Sequence, residues 1–296
     1  MASLELFFIS QVGYIDRIVS QMIDHVGEKF IHKVTTPGDD RLISFLGTGE
    51  DFETVGNLAP IAPQMVGALL YLTRCSRPDI AFVVGVLGRR VSCWTLDCDR
   101  CLLRLICYLE QTKTWRLEYK YVYGDDLREL FLFSQVDADH GGNVSTGRST
   151  SGHDTFLVDD GGSSCLLAWL SKLQTAASAS TGEAEIVATN DVMRRAVLPL
   201  QATMEAITGN VIRAVVQGDA SVAEACIRSG WSKALRYIRK HQRVSISVLH
   251  DMFQEDDCEY SHTASAENSA DIHTKSLDRV LHERHSKFMG LTCNDD

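Results

Sequence analysis

Apolar positions repeat with helical spacing through the first third of the chain. In GYIDRIVSQMIDHV (13–26), Ile15, Ile18, Val19, Met22, Ile23 and Val26 fall at offsets 0, 3, 4, 7, 8 and 11, one face of an amphipathic helix. A loop with Pro37, Gly38, Asp39 and Asp40 follows. Helices are predicted over 62–74, over 79–92, where Pro78 suits a first turn, and over 96–111, where Leu102, Leu105, Ile106 and Leu109 keep the period. The first 115 residues are therefore predicted to be mainly helical.

After about residue 122 the pattern changes. LFLFSQVDAD (130–139) is continuously apolar before its aspartates, as a central strand buried on both faces would be, and CLLAWLS (165–171) has the same character. Gly152 to Val158 supplies a strand between them, giving a three-strand meander. A long helix follows, with Met193, Val197, Leu200, Met204 and Ile207 at offsets 0, 4, 7, 11 and 14, and Pro199 should kink it. A strand over 211–219, a short helix ending near Gly230, a basic helical stretch, a strand near 258–263 and a final helix complete the order.

Composition bounds this picture. At 296 residues, 45% apolar and 23% charged, the chain fits a globular protein of roughly two domains. Its longest apolar run, Ile80 to Leu87, falls far short of the roughly 20 residues that cross a bilayer, and MASLELFFISQ lacks a cationic signal-peptide head. The expectation is a soluble intracellular protein, cytoplasmic or nuclear, with no membrane partner. Nine cysteines, an odd number, fit free thiols in a reducing compartment better than a disulfide framework. A net charge of −10, from 39 acids and 29 bases, argues against a broad electrostatic footprint for nucleic acid.

Four acids stand at element ends: Asp137 on the first strand of the meander, Glu185 on the long helix, Asp219 closing the fourth strand and Asp271 near the last helix. Carboxylates brought close together repel unless some stay protonated or divalent cations neutralise them. Magnesium prefers hard oxygen ligands, and two such ions about 3.5–4 Å apart can orient a water and stabilise a leaving oxygen in phosphodiester hydrolysis. With 39 acids many quartets exist, so the residues alone also fit scattered surface acids.

The passages SQVDADHGGN, GRSTSGHDTFLV, LLAWLSKLQTAASASTGEAEIVAT, VVQGDASVA and SADIHTKSL resemble, in order, the motifs of the ribonuclease H domain that ends the Pol polyprotein of copia-type LTR retrotransposons. Upstream, ALLYLTRCSRPDIAFVVGVLGRRVS resembles the segment before that domain, and GYIDRIVSQM with KVTTPGDD resembles the tail of the same element's reverse transcriptase. The resemblance implies an α/β ribonuclease H-like fold over 128–290, a mixed five-stranded sheet flanked by helices, preceded over 1–122 by a helical remnant of a reverse-transcriptase thumb or connection. It implies hydrolysis of the RNA strand of RNA–DNA hybrids, with two Mg2+ ions (Mn2+ able to substitute) on Asp137, Glu185, Asp219 and Asp271, and the polymerase palm and fingers as a partner. Polymerisation by this chain alone is not expected. The rival implication is a decayed or domesticated fragment that folds, and binds nucleic acid, without catalysis.

Asp139 and Glu183 also match family acids. Strand alternation turns Asp139 to the side of Asp137, which fits a supporting acid as well as a solvated one. His262, nine positions before Asp271, corresponds loosely to a loop histidine that assists proton transfer or product release in other ribonucleases H; it also fits an ordinary loop residue. Substrate contact is expected from RSGWSKALRYIRKHQR, which carries Arg228, Lys233, Arg236, Arg239, Lys240 and Arg243, Trp231 and Tyr237, and no acid. The alternative is a solvated face paired with Asp251, Glu255, Asp256, Asp257 and Glu259 downstream.

Three further patterns carry no function in this reading. YGDD (123–126) matches a polymerase tetrapeptide but lies in a hydrophilic connection rather than a palm hairpin. Cys93, Cys98 and Cys101 have a ferredoxin-like spacing, but Cys101 and Cys107 fall inside a helical pattern that cannot wrap a cluster. His273, His282 and His285 lack a cysteine pair to complete a zinc set and are expected to be solvated helix residues.

Overall fold

The computed structural model describes residues 3–39, 43, 54–123 and 127–293. Asp40 and residues 124–126 of the YGDD tetrapeptide lie outside them. The chain divides into two compact units, Phe8–Glu118 with Lys275–Asp296, and Met1–Phe7 with Tyr119–Thr274. Each has its own apolar core.

The chain opens with a strand that the helical periodicity did not announce, β1 (Ser3–Ile9). α1 (Val12–Val26) then buries Ile15, Ile18, Val19 and Met22, the stripe that predicts it. α2 (Ala62–Cys75) starts with Pro63 in its first turn, where a missing N–H costs nothing. The helix predicted over 79–92 is only α3 (Ala81–Gly88), framed by 3-10 turns at Pro78–Ile80 and Val91–Cys93. Its two glycines weaken propagation, and its burial on almost every side removes the polar face that would carry a longer helix. α4 (Leu96–Gln111) matches its expected span and buries Leu102, Leu105, Ile106 and Leu109. Beside it, Arg77 is wholly buried, bidentate to Asp79 at 2.9 and 2.7 Å. Thr112 accepts from the same guanidinium through its carbonyl and hydroxyl, and Tyr108 donates its hydroxyl to Asp79.

The second unit is built on a mixed sheet. β3 (Phe131–Asn143), β4 (Arg148–Val158) and β5 (Ser164–Ala177) form an antiparallel meander, and β2 (Arg116–Tyr123) pairs antiparallel with β5. α5 (Thr181–Val192) packs across β3 and β4 and leads through a π-helical turn, Met193–Val197, into α6 (Leu198–Thr208). Pro199 supplies the expected break: it has no N–H to give the preceding turn, and the widened turn just before it absorbs the mismatch. β6 (Arg213–Gly218) lies parallel to β3; α7 (Ser221–Ser229), the short α8 (Ile238–His241) and α9 (Ile246–Met252) follow; β7 (Cys258–His262) lies parallel to β6. The order β1-β2-β5-β4-β3-β6-β7 holds the expected five strands and adds β1 and β2 at one edge. An antiparallel meander followed by two parallel strands beyond its first strand, with α5 on the face, is the ribonuclease H-like α/β fold. The continuous apolar run of β3 is explained by its central place, where Leu132, Ser134 and Val136 are fully buried.

The chain then returns to the helical unit. α10 (Arg279–Phe288) and β8 (Leu291–Thr292), which pairs with Arg116 and Leu117, group with α1–α4, whereas a domain spanning 128–290 would have held α10 with the sheet. The anchor is His282, whose ring meets Tyr108 edge-on at 5.6 Å and bonds the Asp79 carbonyl at 3.3 Å. Among the described residues, no helix is long and apolar enough to cross a membrane.

Candidate active site and metal centre

Three of the four expected acids meet. Asp137, Asp219 and Asp271 each place a carboxylate oxygen within 4.8 Å of the others. β3 delivers Asp137 where its apolar run ends, and β6, its parallel neighbour, delivers Asp219 one residue past Gly218, which pairs in register beside Val136. Asp271 arrives on a 3-10 turn, Ser269–His273, laid against β3 and β4.

That turn can approach so closely because Gly152, opposite Asp137, has no side chain. A Cβ there would stand 2.8 Å from the Ala270 carbonyl and 2.7 Å from the Thr274 methyl. Polar contacts fix the rest. Asn268 donates to the Val136 carbonyl at 2.8 Å and caps the turn through Ala270 N, while Ser269 N donates to Gln135 at 2.8 Å. Thr274 donates its hydroxyl to Asp137. Behind it, His273 and Asp154 form a fully buried pair at 2.6 Å.

Glu185 completes the electrostatics from α5. Its Oε1 accepts from Ala138 N at 3.1 Å, and its Oε2 is buried with no hydrogen-bond partner among the described residues. Burial, then the negative charges of Asp137 and Asp219, push its pKa well above the ordinary carboxylate range. A cluster made only of carboxylate oxygens, with one buried oxygen left unsatisfied, is what a hard divalent cation such as Mg2+ fits.

His262 closes β7 in register with Gly218, so it stands at the same end of the sheet as Asp219; it is exposed and is not one of the converging residues. Asp139 is half-buried, its carboxylate turned over Gly142, also outside the cluster. Glu183, by contrast, is completely buried.

The expected basic helix is mostly turns, with the end of α7 at Arg228 and Ser229 and the short α8 as its helical parts. Lys233, Arg236, Arg239, Lys240 and Arg243 are exposed and form no ion pair among the described residues, so the acids from Asp251 to Glu259 do not neutralise them. Arg228 differs: it pairs with Glu224 on α7 at 2.8 Å. Trp231 is 65% exposed at the mouth of a cavity of about 220 Å³, beside Arg236 and Arg239.

Two expectations about cysteine and histidine meet different outcomes. All nine cysteines are free, and Cys98, Cys101 and Cys107 are buried along α4, where burial pushes the Cys101 thiol up to about 12. The histidines are not solvated: His273, His282 and His285 are all buried. Polar residues on a local helical pattern look solvent-facing until a distant element covers them, and here Asp154 and Tyr108 do so for the first two.

His153, next to Asp154, adds a pH dependence. Burial holds its imidazole at about 4 rather than 6.5. A folded-state pKa below the unfolded one contributes stability above pH 6.5 that is lost as pH falls through 4. The full loss from this group is about 3 kcal/mol. Urea unfolding at pH 7 and pH 4 should show it, and His153→Phe should remove most of the decline; an unchanged decline would assign acid lability elsewhere.

No family model matches the chain. Among curated proteins it is 25% identical over 297 residues to the retrovirus-related Pol polyprotein from transposon TNT 1-94 of Nicotiana tabacum, a match that covers 97% of this chain and 20% of that protein. It is 30% identical to the uncharacterized mitochondrial protein AtMg00810 of Arabidopsis thaliana, over 60% of this chain and 66% of that one. These relatives fit a copia-type retrotransposon Pol fragment. The chain is also 35% identical over 132 residues to secreted RxLR effector protein 161 of Plasmopara viticola, covering 45% of this chain and 86% of the effector. It spans about a fifth of the tobacco polyprotein. Among solved structures, RNase H1 from the halophilic archaeon Halobacterium salinarum NRC-1 aligns over 47% of this chain and 89% of its own, at 19% identity and a TM-score of 0.31. LC11-RNase H1, isolated from compost by a metagenomic approach, aligns over 50% and 93%, at 13% identity and a TM-score of 0.33. The strand order above gives the sheet unit a ribonuclease H-like fold.

Sequence reasoning named the acids but not what holds them. Gly152, Asp154, His273 and Thr274 lie inside the quoted motifs, but their roles were not legible, because each acts on a residue more than a hundred positions away or on a strand it meets only in the fold.

Proposed function

We propose that the sheet unit hydrolyses the RNA strand of RNA–DNA hybrids with divalent cations, Mg2+ first and Mn2+ as a substitute. The convergence of Asp137, Asp219 and Asp271 within 4.8 Å supports this most directly. Asp137, Asp219, Asp271 and Glu185 would hold the cations. When bound, such ions activate water and stabilise the charge that develops on phosphate and leaving oxygens.

The chain's own residues supply the setting. Thr274 and the Ala138 N–H orient Asp137 and Glu185 before any cation arrives, which limits reorganisation of the site. Lys233, Arg236, Arg239, Lys240 and Arg243 offer unpaired positive charge to the phosphate backbone, and Trp231 an exposed aromatic face. No nucleophilic side chain is required. His262, at the same sheet end, is available to carry a proton to or from the product. On this reading the helical unit would serve as the thumb or connection of a reverse transcriptase, with palm and fingers as its partner.

The test is a hybrid labelled separately on each strand. Internal cuts in RNA, with DNA and single-stranded RNA left intact in Mg2+, are expected. Folded protein that binds the hybrid yet leaves it whole in both Mg2+ and Mn2+ would instead establish a nucleic-acid-binding fragment without catalysis.

A further inference from the structure

Glu183 stands two positions before Glu185 on the first turn of α5, fully buried. Its spacing to Ser180 is that of a capping box, and Ser180 Oγ accepts from Glu183 N at 3.2 Å. The carboxylate does more than cap. Its Oε2 accepts from Ala179 N at 2.9 Å and from the Tyr237 hydroxyl at 2.8 Å, and its Oε1 accepts from Gln242 Nε2 at 3.1 Å. Gln242 also donates to the Ala177 carbonyl and Ser178 Oγ, both at 3.2 Å, and the His241 ring bonds that same carbonyl at 2.8 Å. The stretch 237–242 is therefore fastened to the junction between β5 and α5. The cations within and flanking it, Arg236, Arg239, Lys240 and Arg243, remain exposed and form no ion pair among the described residues. Immediately after the last anchor, Arg243 takes a positive φ of 60°, a conformation that a non-glycine residue keeps only when its surroundings hold it.

One helical turn thus reaches in two directions. Glu185 leads to the acid cluster through the Ala138 N–H, and Glu183 leads to the basic stretch through Tyr237 and Gln242. We propose that Glu183 is a positioning residue: by holding Tyr237 and Gln242 on α5 it keeps the exposed cations in fixed register with the acid cluster, so its loss weakens capture of the duplex rather than bond breaking. The inference rests on the ribonuclease reading above. Its physical basis is pre-organisation, because a basic loop that is already ordered loses less conformational freedom when phosphate binds.

The test uses the full chain with Tyr237→Phe and Glu183→Gln. Tyr237→Phe removes one hydrogen bond to a carboxylate and keeps the ring; Glu183→Gln replaces an acceptor oxygen by an NH2 group facing donors. For Tyr237→Phe, KM for hybrid cleavage should rise about tenfold, the scale of one hydrogen bond to a charged group, with kcat within about twofold. Hybrid binding in EDTA at low ionic strength should weaken by the same factor, and amide exchange should speed up over 237–243 but not over 186–192. The double variant should be no worse than Glu183→Gln alone. A fall in kcat at constant KM would overturn the proposal, since Glu183 would then act through Glu185. Unchanged binding and exchange in Tyr237→Phe would overturn it too. If the wild-type chain binds hybrid but does not cut, the ribonuclease reading fails while the binding and exchange results still decide the role of Glu183; if it neither binds nor cuts, both fall. Should Glu183→Gln not fold, Tyr237→Phe carries the test alone.

Discussion

Asp137→Asn is expected to lower cleavage of the RNA strand on the order of a thousandfold while leaving the fold intact. Asparagine keeps the shape of the side chain and an oxygen that can accept from Thr274, so the close contact between β3 and the Asp271 turn survives. What disappears is one of three converging negative charges. A divalent cation held by fewer charges supplies less stabilisation to the developing phosphate charge; several kcal/mol are at stake, and about 4 kcal/mol corresponds to a thousandfold. Without cations the same change should be neutral or stabilising, because it relieves repulsion that Glu185 already registers as a raised pKa, caused by its burial and then by Asp137. Steady-state cleavage in Mg2+ and urea midpoints in EDTA separate the two effects. Asp139→Asn is the control: Asp139 lies outside the cluster, so its activity should stay within about tenfold. Cleavage by Asp137→Asn within about tenfold of wild type would sink the assignment of Asp137.

The helical unit was legible where the apolar period is unbroken, as in α1 and α4. It was less so at α3, where Gly85 and Gly88 and burial on most sides erase the period. In the sheet unit, the acid-bearing ends of β3 and β6 were legible because an apolar run that stops at an aspartate is a local event. The burial of His273 was not: its partner Asp154 is 119 residues away, and neither residue departs from a plausible surface pattern. The basic stretch shows the opposite error. Its charges suggested a helix, and the buried Leu235, Ile238 and Gln242 do keep a helical spacing, but the path breaks at Arg243, whose positive φ no local charge pattern announces.

The same geometry reconciles a net charge of −10 with a polyanionic substrate. Three of the excess acids converge on one point, where cations would offset them, and five cations on the 228–243 stretch have no acidic partner among the described residues. Net charge describes the whole surface, whereas a duplex meets only the face it approaches. Affinity for hybrid should accordingly fall steeply with salt, because counterion release scales with the number of phosphates those cations contact.

Arg77→Ala is expected to cost the helical unit about 3–5 kcal/mol. Arg77 is 0% exposed and bidentate to Asp79; its guanidinium also bonds Thr112 and lies 5.5 and 5.8 Å from the ring centres of Tyr108 and Trp115. Burial alone would depress the Arg77 pKa, but Asp79 beside it more than restores it, so both partners stay charged inside the core. Truncating the arginine leaves the Asp79 carboxylate buried with only Tyr108 to donate to it from a side chain, and that uncompensated charge accounts for most of the loss. Removing both charges should therefore be milder than removing one. Arg77→Met combined with Asp79→Leu is expected to recover at least half of the stability lost by Arg77→Ala, a large non-additive coupling between residues two positions apart. Urea unfolding followed by amide exchange across α2 and α4 reads this directly. A cost for Arg77→Ala below about 1 kcal/mol, the scale of an exposed pair, would show that water reaches the site and that the pair is not the anchor of this core.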